Sequence, residues 1–270
     1  LDNDATAAYV DTGSWSTKAI KEAKLFGNID VLASSKDKNY TYIPKDYEVP
    51  ADAAYLHLTS NNTIFGTQYH SWPETEVPFV CDMSSDIFSR PIDSSKFGVI
   101  YAGAQKNMGP AGVTLVIVRK DLLGKVNRQL TSMLNYETHI GKNSAFNTPP
   151  VFPIYVSMLT MRWVKENGGV EAMQKRNAEK AKLVYDAVDA NPLFNCPVAE
   201  EDRSHMNAVF IANDDKIEAP FLEACKAADI IGIKGHRSVG GFRASMYNAM
   251  DKASVEVLVY VMNDFAQKHG

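Results

Sequence analysis

Short apolar segments recur through the first half of the chain, and this recurrence is the feature that most constrains the fold. Six of them occur, at residues 7–13, 30–35, 53–60, 78–85, 97–103 and 112–120. Each has the length and the apolar content of a buried strand, and helical or loop-like stretches such as STKAIKEAKLFG separate them. Near-continuous apolar strands of this kind are typical of a mostly parallel sheet that is covered on both faces. The sequence therefore predicts an α/β fold.

The second half of the chain is mostly helical after Pro150. Two long helical patterns, PIYVSMLTMRWVKEN and GVEAMQKRNAEKAKLVYDAVDA, meet at Gly168 and Gly169. Strand and helix patterns then alternate up to a terminal helix. Apolar residues at i, i+3, i+4 and i+7 predict its core face: Val255, Leu258, Val259, Met262 and Phe265. We predict a large domain over residues 1–168 and a small C-terminal α+β domain over residues 169–270.

Composition and charge exclude several classes of function. The 270 residues are 45% hydrophobic and 22% charged, which is ordinary for a globular protein. The formal net charge of -4 comes without a basic block, so we expect no nucleic-acid partner. No apolar stretch approaches the roughly 18 residues that span a bilayer, so we expect a cytoplasmic protein without membrane contact.

Residues that often bind metals have no suitable spacing in this chain. Neither a CxxC pair nor another metal-ligand spacing occurs among three cysteines and three histidines of the chain: Cys81, Cys196, Cys225, His57, His70 and His139. We therefore expect neither a disulfide framework nor a metal site. The basic residues Arg90 and Lys96 are expected to be loop charges.

A lysine and an aspartate lie at the ends of two predicted strands. Lys106 follows the apolar run of FGVIYAGAQKNMGPAG, where the glycines and the proline prevent a long helix, and Asp82 follows the run of PFVCD. Ligands of open α/β sheets bind outside the carboxyl ends of strands. A lysine and an aspartate suit pyridoxal phosphate, since the lysine can bind its aldehyde and the aspartate can keep its pyridine nitrogen protonated. The residues alone also allow a solvated loop lysine and an aspartate in a turn.

Longer motifs extend this interpretation. The stretch DMSSDIFSRPIDSSKFGVIYAGAQKNMGPAG closely resembles the phosphoserine aminotransferases, a family of fold-type I pyridoxal-phosphate enzymes. The likeness continues through DTGSWSTKAIKEAK, SNNTIFGTQ, FNTPP and GHRSVGGFRASMYNAM and covers essentially the whole chain. The resemblance implies that an amino group passes from L-glutamate to 3-phosphohydroxypyruvate, giving O-phospho-L-serine and 2-oxoglutarate in a ping-pong cycle of serine biosynthesis. The family often also accepts a phosphorylated precursor in pyridoxine synthesis.

The resemblance assigns five residues to the cofactor. Lys106 is the Schiff-base lysine and the proton carrier, and Asp82 is the partner of the pyridine nitrogen. Trp15, in TGSWS, stacks on the cofactor ring. Thr63 and Gln105 form hydrogen bonds with the cofactor. Taken as bare residues, Trp15 is also compatible with a core tryptophan, and the other two with ordinary loop polar residues.

Two further clusters match family positions. Asn147 and Thr148, in AFNTPP, match the pair that reaches the cofactor phosphate of the other subunit, which implies a homodimer. Arg243 matches the ligand of the substrate carboxylate, and His236 and Arg237 match residues that help to bind the substrate phosphate. Without the resemblance, the first cluster is equally a turn before two prolines, and the second a solvated basic loop.

The family carries a segment before the position that matches Leu1, with a glycine-rich turn and a helix start for the cofactor phosphate. Because a helix N-terminus is a natural phosphate site, a chain without that segment is expected to bind the cofactor more weakly. Two alternatives stay open. One is a non-catalytic family member or fragment. The other is a different class V transaminase or a cysteine desulfurase, and the latter needs a cysteine nucleophile in a mobile loop.

Overall fold

The computed structural model describes residues 1–269 of the chain. Eleven strands lie in this part: β1 (Thr6–Asp11), β2 (Asn28–Ser34), β3 (Leu56–Thr59), β4 (Asn61–Asn62), β5 (Thr67–Gln68), β6 (Phe79–Asp82), β7 (Phe97–Gly103), β8 (Thr114–Val118), β9 (Phe194–Asn195), β10 (Asn207–Ala212) and β11 (Phe242–Ser245). Six α-helices accompany them: α1 (Ser14–Ala23), α2 (Tyr136–Ile140), α3 (Val151–Glu166), α4 (Gly169–Asp189), α5 (Glu218–Ala227) and α6 (Lys252–His269).

The six strands predicted from the apolar segments form one sheet in the order β2-β1-β3-β6-β7-β8. All neighbours pair in parallel except β7 and β8, which are antiparallel. This exception follows from chain length, because a parallel crossover needs a dozen or more residues and the connection from Gly103 to Thr114 is shorter. The prediction of a mostly parallel α/β sheet is confirmed.

Alternate residues of the strands point to one face of the large sheet and form a core there. Val10, Leu58, Cys81 and Ala102 are all fully buried there in one cluster. On the other face Tyr9 packs with Ile20 of helix α1. The sequence pattern of continuous apolar residues arises because these strands have buried side chains on both faces.

A second core lies in the last third of the chain. Helices α4, α5 and α6 pack with the antiparallel sheet β11-β10-β9. Five phenylalanines meet in this core: Phe194, Phe210, Phe221, Phe242 and Phe265. The predicted core face of α6 is buried, with Val259 only partly so.

The helical region breaks at the predicted glycine pair. Helix α3 ends at Glu166 and α4 begins at Gly169. Gly168 has φ 93°, a left-handed conformation that favours glycine because it has no Cβ. The domain boundary between residues 168 and 169 stays a prediction.

The second core provides a stability test. Phe221 is fully buried among other aromatic rings, so Phe221→Ala is expected to lower the free energy of unfolding by about 3–5 kcal/mol. Urea denaturation measures this value. The control is Tyr260→Ala, because Tyr260 lies on the outer side of α6 with 70% of its surface exposed, and its expected effect is below about 0.5 kcal/mol. Equal losses in the two variants would contradict the assigned core.

Candidate active site

Lys106 lies in a tight turn directly after β7. The amides of Lys106, Met108 and Gly109 all donate to the carbonyl of Ala104, at 2.7, 3.1 and 2.9 Å. Gly109 allows the turn to approach α3, since a Cβ there would lie 2.9 Å from the Oγ of Ser157. The glycine-rich sequence thus forms a compact loop at the carboxyl end of the strand, as predicted.

The amine of Lys106 is part of a small polar cluster. Its Nζ donates a hydrogen bond of 2.7 Å to the Oγ1 of Thr63. Burial lowers the pKa of Lys106 below its ordinary value, and the charge of Arg243 lowers it further. The carboxylates of Asp82 and Asp86 act in the opposite direction. The amine is therefore biased towards the neutral form that a nucleophile or a proton acceptor requires.

Thr63 joins two cationic side chains. Its hydroxyl accepts from Lys106, and its backbone carbonyl accepts from the Nη1 of Arg243 at 3.3 Å. Arg243 lies in β11 of the second sheet, 180 residues along the chain from Thr63. The Nε of Arg243 is buried and has no hydrogen-bond partner among residues 1–269. This guanidinium thus keeps binding capacity for an anionic ligand.

Asp82 is the last residue of β6, and its orientation is fixed locally. Its Oδ1 accepts the backbone amide of Ser84 at 2.9 Å. Within the described chain no hydrogen bond is made by its second carboxylate oxygen. Asp82 also pairs in register with Tyr101 of the neighbouring strand β7. A carboxylate is therefore held at the same sheet edge as the loop of Lys106.

Trp15 lies in the first turn of α1, close to the strand that precedes Thr63. A Cβ at Gly13 would lie only 2.9 Å from the Oδ1 of Asn62, so the start of α1 packs directly against β4. The indole of Trp15 is 43% exposed, with the Nζ of Lys18 at 4.5 Å from the ring centroid. An exposed indole face beside this edge is suited to stacking on a flat ligand. Trp15 is thus not a core tryptophan.

Three other predicted residues, Gln105, Asn147 and Thr148, make no side-chain hydrogen bond to Lys106 within residues 1–269. Gln105 is exposed, and its amide folds back over Gly103. Asn147 and Thr148 are exposed in a loop, where the Nδ2 of Asn147 lies 3.2 Å from the sulfur of Met133.

The loop before β11 is closed by glycines. The amide of Gly235 donates to the carbonyl of Gly241 at 2.7 Å, and a Cβ at Gly235 would overlap the backbone of Gly240. In this loop the Nδ1 of His236 accepts from the amide of Ser238, and Arg237 is exposed. The two basic residues predicted to bind substrate phosphate therefore lie in a compact turn before β11, and neither makes a hydrogen bond to Lys106 within residues 1–269.

Sequence reasoning missed Tyr247, which joins the cluster at Thr63. Its hydroxyl accepts from the Nδ2 of Asn207 at 3.2 Å. Burial raises the pKa of Tyr247, and the charge of Arg243 and a hydrogen bond with Thr63 oppose that rise. The signal in the sequence was an aromatic residue four positions after Arg243, within the motif FRASMYNAM.

Sequence reasoning also missed the buried carboxylate Asp86. Burial raises its pKa, and it accepts hydrogen bonds from Ser60 and Gln68. Its ion-pair partner is Arg90, at 3.6 Å. Arg90 lies in a loop, as expected, but its side chain is largely buried and also contacts the ring of Trp72, which the sequence did not indicate.

The part of the chain that the structure describes has neither a cluster of metal-binding side chains nor a helix that could span a membrane. Residues 1–269 contain no group of three or more histidine, cysteine, aspartate or glutamate side chains that can hold a metal ion. Over the same residues, no helix is both long and apolar enough to cross a membrane.

The sequence is similar to those of known aminotransferases. The family model described as "Aminotransferase class-V" matches residues 1–258. The phosphoserine aminotransferase of Parabacteroides distasonis is 60% identical over 265 residues, which cover 97% of this chain and 75% of the relative. That of Flavobacterium psychrophilum is 57% identical over 268 residues, which cover 99% and 75%. The chain thus spans three quarters of the length of these relatives.

Solved structures give the same result. The phosphoserine aminotransferase from Bacillus circulans subsp. alkalophilus superposes with a TM-score of 0.95 at 48% identity, over 98% of this chain and 75% of that one. The pyridoxal-phosphate-bound phosphoserine aminotransferase from Trichomonas vaginalis superposes with a TM-score of 0.90 at 37% identity, over 96% and 76%. The fold predicted from the sequence is confirmed as that of fold-type I aminotransferases.

The charges around Lys106 predict opposite shifts in two variants. Arg243→Gln removes a positive charge that disfavours the ammonium form, so the pKa of Lys106 is expected to rise. Asp82→Asn removes a negative charge that favours this form, so the pKa is expected to fall. The measurement is the pH dependence of reductive methylation at Lys106, mapped by mass spectrometry, with the exposed Lys120 as the internal reference. Shifts of the same sign in both variants would overturn the arrangement.

Proposed function

The chain belongs to the class-V aminotransferase family, and we propose that it transfers the amino group of L-glutamate to 3-phosphohydroxypyruvate, the reaction of a phosphoserine aminotransferase. The products are O-phospho-L-serine and 2-oxoglutarate. The observation that carries the proposal is the Lys106 cluster, in which an amine of lowered pKa and an arginine, whose Nε has no hydrogen-bond partner among residues 1–269, meet at Thr63. The names of relatives that are 57–60% identical over nearly the whole chain support the substrate assignment.

The residues at this edge fit pyridoxal phosphate. Lys106 provides an amine of lowered pKa, and Asp82 provides a carboxylate with one oxygen free of hydrogen bonds to described residues. Trp15 offers an exposed indole face next to the strand that leads to Thr63. When bound, pyridoxal phosphate supplies an aldehyde that accepts the amino group and a ring that withdraws electrons from the reacting carbon.

Each residue of the cluster then has a defined task. Lys106 would hold the cofactor through its Nζ, and the same amine would act as general base and acid, accepting the proton of the substrate α-carbon and donating it again within the site. Asp82 holds a proton on the pyridine nitrogen through its negative charge. Arg243 binds the substrate α-carboxylate through its planar guanidinium and so orients the bond to be broken. Thr63 and Gln105 add hydrogen bonds to the cofactor.

The remaining assigned residues act at the anionic ends of the ligands. We assign His236 and Arg237 to the phosphate of the phosphorylated substrate, since both are basic and their loop precedes the strand of Arg243. Asn147 and Thr148 are assigned to the cofactor phosphate of a second copy of the chain in a homodimer. Both residues are exposed, and within residues 1–269 neither makes a hydrogen bond to Lys106 of the same chain, which supports this assignment. Cytoplasmic location and a role in pyridoxine synthesis stay predictions.

The cysteine desulfurase alternative finds no support in the cysteine positions. Cys81 is fully buried within β6, and burial raises the pKa of its thiol well above the ordinary value. A nucleophilic cysteine needs access and a thiolate, and Cys81 has neither. Sequence identity to named aminotransferases also disfavours the alternative of a non-catalytic family member.

Replacing the lysine tests the proposed function. Lys106→Ala is expected to lower transamination between L-glutamate and 3-phosphohydroxypyruvate by about 10³-fold or more, because it removes the covalent anchor and the proton carrier together. Borohydride reduction of the unmodified chain with pyridoxal phosphate, followed by mass mapping, is expected to place the label on Lys106. Lys120→Ala, which alters an exposed lysine, is the control. Full activity in Lys106→Ala, or a label spread over surface lysines, would refute the role of Lys106.

Mixing two inactive variants tests the shared site. Random reassociation of equal amounts of Lys106→Ala and Asn147→Ala chains is expected to restore about one quarter of the unmodified activity, because half of the dimers then carry one intact site of two. Activity of the mixture is compared with that of each variant alone. No recovery, with dimers present by mass, would place Asn147 in the site of its own chain. Undiminished activity of Asn147→Ala alone would place Asn147 outside any site.

A further inference from the structure

One buried asparagine contacts the segments that follow three proposed functional residues. Asn248 is 2% exposed and lies shortly after β11, the strand of Arg243. Its backbone amide donates to the Oδ1 of Asn107 at 3.0 Å, and Asn107 is the residue directly after Lys106. The side-chain Nδ2 of Asn248 donates to the carbonyl of Phe88 at 2.9 Å. Phe88 belongs to the loop that begins after Asp82.

The hydrogen bond from Asn248 stabilises a loop whose backbone is unfavourable at Phe88. Phe88 has φ 57°, a left-handed conformation that is unfavourable for a bulky residue. The same loop accepts a second hydrogen bond at the preceding residue, where the backbone carbonyl of Ile87 accepts from the Nδ2 of Asn107 at 3.0 Å. Asn107 and Asn248 thus hold adjacent carbonyls of one strained turn, and they also hold each other.

Helix α4 supports the same segment from the other side. The Nδ2 of Asn177 donates to the Oδ1 of Asn248 at 2.8 Å and to the carbonyl of Ser89 at 3.3 Å. Lys180, one turn later, is fully buried. Its Nζ donates to the backbone carbonyls of Met246, Tyr247 and Met250, at 3.0, 2.8 and 3.1 Å. All three hydrogens of this ammonium are therefore used to fix the segment after β11.

We propose that Asn248 is a positioning residue, which ties together the segments that follow Asp82, Lys106 and Arg243 and so fixes these three groups relative to one another. The inference rests on the proposed function. It adds a residue that touches neither substrate nor cofactor. Buried amides that are hydrogen-bonded to several segments favour one arrangement of the chain, because other arrangements leave more polar groups unpaired in a dry interior.

The variant Asn248→Ala removes both side-chain hydrogen bonds. Its expected effect on the chain without cofactor is a rise in the pKa of Lys106, because a looser junction admits water to the amine and lets Arg243 move away. The pH dependence of reductive methylation at Lys106 measures this. In the transamination assay, kcat/KM for L-glutamate is expected to fall by about 10- to 100-fold, since small misplacement of reacting groups has effects of this size.

The matched control is Asn191→Ala. Asn191 is also a buried asparagine, and it too donates to a backbone carbonyl, that of Met262, and accepts from a backbone amide, that of Leu193. Its bonds lie within the second core, away from the cluster. Asn191→Ala is therefore expected to lower stability while leaving the pKa of Lys106 and kcat/KM nearly unchanged.

The outcomes separate the two proposals. A shifted pKa of Lys106 in Asn248→Ala supports the positioning role even if the unmodified chain shows no transamination, which would count against the proposed function alone. An unshifted pKa and an unchanged kcat/KM, at the same loss of unfolding free energy as in Asn191→Ala, would overturn the positioning role. If Asn248→Ala does not fold, Asn177→Ala decides, because it removes one bond to Asn248 and is expected to shift the pKa in the same direction by less.

Discussion

The parallel alignment of four strands is the constraint on which the rest of the site depends. Strands β1, β3, β6 and β7 run in the same direction as neighbours, so their carboxyl ends meet at one edge of the sheet. Asp82 and the loop of Lys106 leave the sheet at this edge, and α1 with Trp15 starts there. Because backbone hydrogen bonds fix the register of the strands, the strand ends from which these groups depart keep a constant spacing. The second sheet then only has to present Arg243 to an edge that already exists.

The sequence predicts the first part of this arrangement well and the second part poorly. Strands with buried faces on both sides must be apolar throughout, and that requirement leaves a readable pattern. The contact between Thr63 and Arg243 leaves no such pattern in the sequence, since it joins residues 180 positions apart through a backbone carbonyl. The resemblance to the family identified Arg243 as a functional residue. It did not name Tyr247, whose place in the cluster depends on the packing of two sheets.

Buried polar residues are the least predictable part of the structure. Asn61, Asn107, Asn177, Asn207 and Asn248 are each at most 4% exposed, although in sequence they are typical loop residues. Burial of an amide is favourable where partners meet most of its hydrogen-bonding groups, and here those partners come from distant segments. The side chain of Asn61 bonds Ser85, Ser204 and Asn207, for example. Such sites are visible only once the tertiary structure is known, and they concentrate where the two cores meet.

These amides bear directly on the chemistry of Lys106. Burial is the largest cause of its lowered pKa, ahead of the opposing charges of Asp82 and Arg243. A charge effect changes little when one side chain shifts slightly, whereas the effect of burial is lost as soon as water reaches the amine. On the positioning role proposed for Asn248, the basicity of Lys106 depends on how tightly the segments around it pack, and hydrogen bonds between residues outside the proposed substrate site hold that packing. The reactivity proposed for Lys106 is then a property of the junction between the two cores.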